Sequence, residues 1–379
     1  MARNSDDSEL RIVFTGGLTG GHTYPLIAVA RALFAHSRFS VNALYLGSSG
    51  RFEQEAMHSE GIASKYILSG KIRRYFSLLN FVDPFKVPIG FLQSLWYLYG
   101  FMPDVVFAKG GSVPVPVCLA AWVLRIPILL HDSDAVAGRA NRFLSVFASR
   151  IAVAYPSAAA YFPADKTAIT GNPVRTEILA GDASHADSYF GFSPDRPLLL
   201  ILGGSLGAQA LNNAVARMLP DIIRGTQVLH QTGEKNYQSA VALAGEYGIK
   251  AGHDGYVAAP FLNVTELADA FARADLVISR AGAGTVAELA AVGKASILVP
   301  LPTAANDEQR MNAYEVARVG GALVLEESNL GEHMLSGKVV DLLRDSTLRG
   351  KMAEEIGVFY NPTAAEMIAT GIISLTEYA

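Results

Sequence analysis

Two glycine-rich turns, Thr15-Gly-Gly-Leu-Thr-Gly-Gly-His22 and Gly203-Gly-Ser-Leu-Gly-Ala208, carry the residue types best suited to holding an anion. Glycines let backbone N–H groups come close to a ligand, and a helix opening after such a turn presents unpaired donors to negative charge. The chemistry they imply is recognition of a phosphate-bearing substrate. His22 closes the first turn just ahead of a helix. A helix N-terminus disfavours a positive imidazole, so His22 is expected to stay neutral and to accept a proton from a hydroxyl nucleophile. Ser205 adds a hydroxyl donor to the second turn, and Arg175, after Gly171-Asn-Pro, offers a guanidinium suited to bidentate phosphate contact. In Ser279-Arg-Ala-Gly-Ala-Gly-Thr-Val-Ala-Glu288 a third strand-turn-helix passage puts Glu288 in about the first turn of its helix. A carboxylate there can hold two vicinal ribose hydroxyls. Each residue also has a plainer reading: a turn-lining histidine, a surface arginine and a helix-stabilising acid.

Asp132 and Asp134 follow the run Ile126–Leu130 beside His131. Two carboxylates at that spacing can hold a divalent ion next to a diphosphate. No third acid is evident nearby and the glycine turns neutralise phosphate without metal, so neither a metal nor another cofactor is expected.

The elements that must position these residues alternate strand and helix. Leu10–Phe14 runs into the first turn and Tyr24–Leu33 reads as a helix with Pro25 in its first turn. Pro197–Leu202 and Ala208–Met218 repeat that order around the second turn. Buried parallel strands are expected at Val41–Leu46, Asp104–Ala108, Ile126–Leu130 and Ile151–Ala154, then at Thr226–Gln231, Asp275–Ser279, Ala295–Val299 and Ala322–Leu325. Amphipathic segments such as Phe52–Glu60 and Ala137–Phe147 lie between them. The 379 residues exceed what one core usually supports. The expected fold class is α/β, with two doubly wound Rossmann-like domains facing a cleft. Their junction falls at the Gly171–Arg175 turn, giving domains 1–174 and 175–354, with a C-terminal helix 355–379 packing back on the first.

Several function classes are excluded. A net charge of −4 with 17% charged residues gives no general electrostatic reason to bind nucleic acid. A dinucleotide enzyme is disfavoured because the first turn lacks the Gly-x-Gly-x-x-Gly spacing and Val41–Leu46 leads into Gly47-Ser-Ser-Gly50 with no ribose-binding acid. Cys118 is the sole cysteine, and Met1–Leu10 carries no secretory apolar segment, so a reducing cytoplasm is expected.

From Tyr75 to Phe101 there are nine aromatic residues, flanked or interrupted by Lys71, Arg73, Arg74 and Lys86. Val87–Pro103 is uncharged and approaches spanning length. A span would put strands of one sheet on opposite sides of a membrane, so the segment reads as a membrane-interface patch, with a buried helical hairpin as the alternative.

In order and spacing the motifs resemble the MurG family of peptidoglycan synthesis, over nearly the whole chain. The match takes in Thr19-Gly-Gly-His22, Lys109-Gly-Gly111, Asn141, Gly171-Asn-Pro-Val-Arg175, Gly203–Ala208, His230-Gln-Thr-Gly233, Ser279-Arg-Ala-Gly282, Thr285-Val-Ala-Glu288 and Pro300–Gln309 with Asn312. The resemblance implies a GT-B fold and inverting transfer of GlcNAc from UDP-GlcNAc to the 4-hydroxyl of a MurNAc on a polyprenyl-diphosphate-linked acceptor. It implies His22 as base, with Thr19, Gly20, Gly21, Asn141, Arg175, Ser205, Leu262, Arg280, Thr285, Glu288 and Gln309 on the donor. Glu288 would take the ribose, Arg175 and Ser205 the diphosphate, Leu262 the uracil side and Gln309 the GlcNAc hydroxyls. Gly110, Gly111, Asp132 and Asp134 fall on the acceptor side. The family also implies a peripheral position on the inner leaflet of the cytoplasmic membrane.

Departures from the family pattern gather on the acceptor side. Leu18 replaces a glycine, Ser112 a tyrosine, Pro114-Val-Pro116 a Ser-Gly-Pro, and His131-Asp-Ser-Asp134 the commoner His-Glu-Gln-Asn; Asn306 and Glu308 also differ. The competing readings are a related transferase acting on another lipid such as diacylglycerol, and a catalytically silent scaffold that binds UDP-sugar.

Overall fold

In the computed structural model, which describes residues 9–17, 20–36, 40–70, 79–204, 208–253, 255–331 and 333–376, the chain divides into two units. Unit one is Met1–Val174 with Asn361–Ala379, and unit two is Arg175–Tyr360. Thr19 and Ser205 lie outside the described residues, as do Leu18, Lys71, Arg73, Arg74, Tyr75 and Phe76.

The apolar runs become parallel strands, the central ones buried throughout. Unit one contains β1 (Glu9–Gly16), β2 (Ser40–Gly47), β3 (Ala63–Tyr66), β4 (Val105–Lys109), β5 (Ile128–Asp132), β6 (Arg150–Val153) and β7 (Thr167–Ile169). Among the described residues they form one seven-stranded sheet in the order β3-β2-β1-β4-β5-β6-β7. Unit two has β8 (Leu198–Leu202), β9 (Gln227–Gln231), β10 (Tyr256–Ala259), β11 (Leu276–Ser279), β12 (Ser296–Leu298) and β13 (Ala322–Val324), ordered β10-β9-β8-β11-β12-β13. Every pairing given between these strands is parallel. In each sheet the order reverses beside the strand that feeds a glycine turn, at β1/β4 and at β8/β11. Open parallel sheets take ligands at the carboxyl ends of strands at that kind of position.

At the first reversal Phe14 and Phe107 are register partners, their rings edge to face at 6.0 Å. Around them Ile12, Leu26, Val29, Leu33 and Leu129 form the unit-one core, and Ile368, Ile372 and Ile373 of the last helix, Ala364–Thr376, complete it. The tail is therefore not one helix over 355–379. A helix Ser346–Ile356 ends in unit two, and the chain crosses at Tyr360–Asn361 before restarting after Pro362, which cannot donate to a helix ladder.

Three other expectations shift. The helix after the first turn runs Gly20–Phe34, so Pro25 lies inside it and Gly20, Gly21 and His22 form its opening turn. Strand β5 starts after Pro127 and reaches Asp132, because the polar side chains at its end find partners within unit one. Of the aromatic segment, the described residues 79–101 form one helix, Leu79–Phe101, in place of the hairpin given as the alternative. No helix among the described residues is long and apolar enough to cross a membrane.

Candidate active site

The two glycine turns of unit one are pressed together. Gly16 pairs in register with Lys109, and a Cβ on Gly16 would stand 2.8 Å from the Lys109 carbonyl oxygen. The Tyr45 hydroxyl donates to Gly16 O at 2.7 Å and tethers the turn to β2. Opposite, Gly110 adopts φ +44°, and a Cβ there would lie 3.1 Å from Cδ2 and Nε2 of His22. Only glycine meets both conditions, the left-handed backbone and the close ring. His22 is thus half-buried between the helix start and this turn. Burial first, and the Lys109 ammonium second, push its pKa down to about 4, so the imidazole is neutral at physiological pH.

Beneath the turns lies a polar cluster that sequence reasoning did not single out. Lys109 is buried, and its ammonium donates to His131 Nδ1 at 2.9 Å, to Asn172 Oδ1 at 3.1 Å and to Ser133 Oγ. A lysine closing an apolar strand just before Gly-Gly was the available signal.

Asp132, expected on the acceptor side, is tied into its own loop. Its Oδ1 accepts from Asp134 N at 3.3 Å, and its Oδ2 accepts from Gly138 N and Asn141 Nδ2, each at 3.0 Å. With both oxygens engaged, Asp132 builds the loop after β5. Burial nevertheless raises its pKa, ahead of the hydrogen bonds that lower it. Asn141 is also buried and donates to His131 O at 3.1 Å, while its Oδ1 finds no partner. Among the described residues no three His, Cys, Asp or Glu side chains are grouped as metal ligands.

Unit two brings its predicted residues together differently. Gly203 follows β8, and a Cβ there would meet Gln231 O at 3.1 Å. Glu288 sits in the second turn of the helix Ala283–Ala291, not its first, and Thr285 is half-buried near the start of that helix. Glu288 Oε1 accepts from Arg175 Nε at 3.0 Å and from its terminal nitrogen at 2.5 Å. Burial pushes the Glu288 carboxyl up and Arg175 offsets only part of that. The residues assigned to ribose and diphosphate therefore hold each other, across 113 positions of sequence.

Arg280 donates to the carbonyls of Val299 and Pro300 at 3.2 and 3.3 Å and pairs with Glu327. Buried Asn312 donates to Ala281 O at 3.1 Å and so braces the same loop. Leu262 is buried with its N–H on Gln231 Oε1, and Gln309 Oε1 accepts from Leu301 N, each at 3.0 Å. Just ahead of Gln309, Asn306 and Asp307 hold φ of +52° and +59°, left-handed conformations that Asn and Asp tolerate better than other side-chain-bearing residues.

A glycine turn at the sheet reversal of each unit, a neutral histidine in one and a part-buried arginine-carboxylate pair in the other define a two-domain nucleotide-sugar glycosyltransferase of the GT-B type. Comparison with known proteins agrees along the chain. The glycosyltransferase family 28 N-terminal domain model matches residues 12–153, and the C-terminal domain model of that family matches residues 198–367. A Clostridium botulinum relative named UDP-N-acetylglucosamine--N-acetylmuramyl-(pentapeptide) pyrophosphoryl-undecaprenol N-acetylglucosamine transferase is 34% identical, covering 97% of this chain and 98% of its own. A Legionella pneumophila relative of the same name is 37% identical over 88% of this chain and 89% of its own. The crystal structure of Acinetobacter baumannii MurG superposes with a TM-score of 0.73 at 27% identity, covering 97% and 99% of the two chains. UDP-GlcNAc 2-epimerase from Neisseria meningitidis, at 13% identity and a TM-score of 0.69 over 97% and 100%, shares the fold alone. The chain belongs to the MurG family of N-acetylglucosamine transferases.

Proposed function

We propose that this enzyme moves GlcNAc from UDP-GlcNAc to the 4-hydroxyl of MurNAc in a polyprenyl-diphosphate-linked peptidoglycan precursor. The observation that carries this reading is the extent of the likeness: 34% identity runs through 97% of the chain, taking in the acceptor unit as well as the nucleotide unit. A transferase that shared only the nucleotide half would not match in that way.

In this reading the donor binds unit two, with the ribose hydroxyls on Glu288 and the diphosphate on Arg175 and the Gly203–Gly204 turn. Leu262, Arg280, Thr285 and Gln309 line the uridine and sugar, with Ser205 alongside the diphosphate. In unit one Gly20, Gly21 and the Gly110–Gly111 turn flank His22. The acceptor oxygen attacks C1, the bond from C1 to the UDP oxygen breaks on the opposite face, and the hydroxyl proton passes to His22. An imidazole whose pKa sits near 4 is a weak base. It takes the proton late, once bonding to C1 has made the hydroxyl acidic. Charge growing on UDP is met by preorganised N–H groups and the Arg175 guanidinium.

The membrane face we infer is the helix Leu79–Phe101. Ile89, Leu92, Trp96 and Tyr99 recur every three or four residues and are 48, 64, 77 and 70% exposed, while Ser94 and Leu98 on the other side are fully buried. An outward stripe with Trp and Tyr suits a lipid headgroup region.

Purified protein given UDP-GlcNAc should glycosylate the polyprenyl-diphosphate MurNAc-pentapeptide and leave diacylglycerol untouched. UDP release with diacylglycerol alone would overturn the assignment of acceptor.

A further inference from the structure

A lysine is seldom fully buried unless paired. Lys109, 1% exposed at the end of β4, nevertheless has no carboxylate among the partners of its ammonium. Its three N–H bonds face three neutral acceptors, on His131, Asn172 and Ser133. Three donors for three acceptors is what an ammonium needs. His131 is set for the task, because its Nε2 donates to Gly171 O at 3.2 Å and leaves the Nδ1 lone pair toward Lys109. Ser133 in turn donates to Asn172 Oδ1 at 3.1 Å. The acceptors come from the end of β5, the turn after it and the segment after β7, so one cation ties three separate stretches to β4.

The two residues that follow Lys109 form the turn against His22. Gly110 and Gly111 take φ of +44° and +83°, and the Lys109 carbonyl is wedged against Gly16. The main chain at Lys109 therefore joins both glycine turns, and its side chain is their anchor.

We propose that Lys109 is a positioning residue for the transfer: tethered by His131, Ser133 and Asn172, it fixes the Gly110–Gly111 turn against the His22 ring and holds a positive charge behind that ring. This rests on the reading of His22 as base. The charged or titratable groups around the ammonium are His22 on the helix Gly20–Phe34, His131 and Asp132 on β5, and Asp134 after it. Burial lowers the Lys109 pKa to about 7, and the two aspartates offset only part of that by favouring the charged form.

The test uses the full chain with 13C-labelled histidine, in Lys109→Met, Lys109→Arg and His22→Gln forms. The His22 ring resonance, identified by its loss in His22→Gln, is followed through pH beside steady-state kinetics with UDP-GlcNAc and the polyprenyl-diphosphate acceptor. In Lys109→Met the His22 titration should move to higher pH and kcat should fall about tenfold, with the KM for UDP-GlcNAc unchanged. Lys109→Arg, which keeps the charge, should hold the low titration and recover part of kcat. A folded Lys109→Met protein with the His22 titration or kcat unmoved would overturn the proposal. Should that variant fail to fold, Ser133→Ala removes one tether and keeps the charge: kcat should drop with the His22 titration in place, and an unchanged kcat overturns the idea. Persisting turnover in His22→Gln would instead sink the base assignment, a result read separately from the titration shift in Lys109→Met.

Discussion

The two units hold sequestered charge in opposite ways. Unit one buries a lone cation among neutral acceptors, with Lys109 on His131, Ser133 and Asn172. Unit two buries cations already paired with anions, Arg175 with Glu288 and Arg280 with Glu327. The Lys109 charge helps keep the His22 imidazole unprotonated, while Asp132 and Asp134 nearby offset part of its field. On the proposed reading, a nucleotide would offer hydroxyls to the Glu288 carboxylate and phosphate to the Arg175 guanidinium together. On that reading, binding in unit two would exchange one set of partners for another, whereas the Lys109 contacts of unit one are already made.

That contrast breaks most visibly at His22. His22→Ala should lower kcat by roughly 10²–10⁴ while UDP-GlcNAc affinity stays within error, because a general base acts only in the transition state. Matched turnover and titration calorimetry check it; an equal loss of donor affinity would mean His22 belongs to the nucleotide rather than the acceptor. Arg175→Ala should come next. Losing one donor to the developing charge costs about 3 kcal/mol of barrier, near a hundredfold in kcat. It also leaves Glu288 as a buried unpaired carboxylate, so the melting temperature should fall, and UDP should restore less of it than in the parent protein. Wild-type turnover in this variant would show that the ion pair is architectural only.

Much of this was legible in the sequence because it is local. Strands such as Leu198–Leu202 and Val105–Lys109 are runs of buried apolar residues bounded by Gly or Pro, and the turns after them carry their glycines in plain view. What could not be read is what long-range packing creates. Glu288 and Arg175 are far apart in sequence, and nothing near either says that they pair. Strand β3, Ala63–Tyr66, is half exposed at the sheet edge, so its pattern is not that of a buried strand. β10 likewise has only Tyr256 buried. Lys109 defied the ordinary expectation that a lysine at a strand end faces water. The early start of the helix Gly20–Phe34 was hidden because glycines argue against a helix until a ligand-type turn demands them.

In unit one, replacing Leu92, Trp96 and Tyr99 together by Ser should abolish flotation with anionic liposomes. Turnover on a detergent-solubilised acceptor should change less than twofold, since the three side chains point outward at 64, 77 and 70% exposure. Retained flotation would move the docking surface elsewhere on the unit, and lost turnover in detergent would tie the stripe to the acceptor itself.

The smallest effect separates the units by pH. His230 in unit two is 1% exposed between Tyr256 OH at 3.1 Å and Asn212 Oδ1 at 3.0 Å, and burial lowers its pKa to about 3. Its folded pKa lies below the unfolded value of about 6.5, so between those values the unfolded chain binds the proton and the native chain does not. Stability contributed by the neutral ring is therefore whole above pH 6.5 and declines as pH falls toward 3, by up to about 1.4 kcal/mol per unit of pH. Glu288 runs the other way, its raised pKa favouring the folded state as it protonates. In urea unfolding followed between pH 7 and 5, His230→Gln should start less stable yet lose less stability per pH unit than the parent. Because His22 and His131 of unit one are depressed for the same reason of burial, the slope that survives in His230→Gln should be carried by unit-one probes. An unchanged slope at unit-two probes would mean that the acid sensitivity of that unit has another origin than this ring.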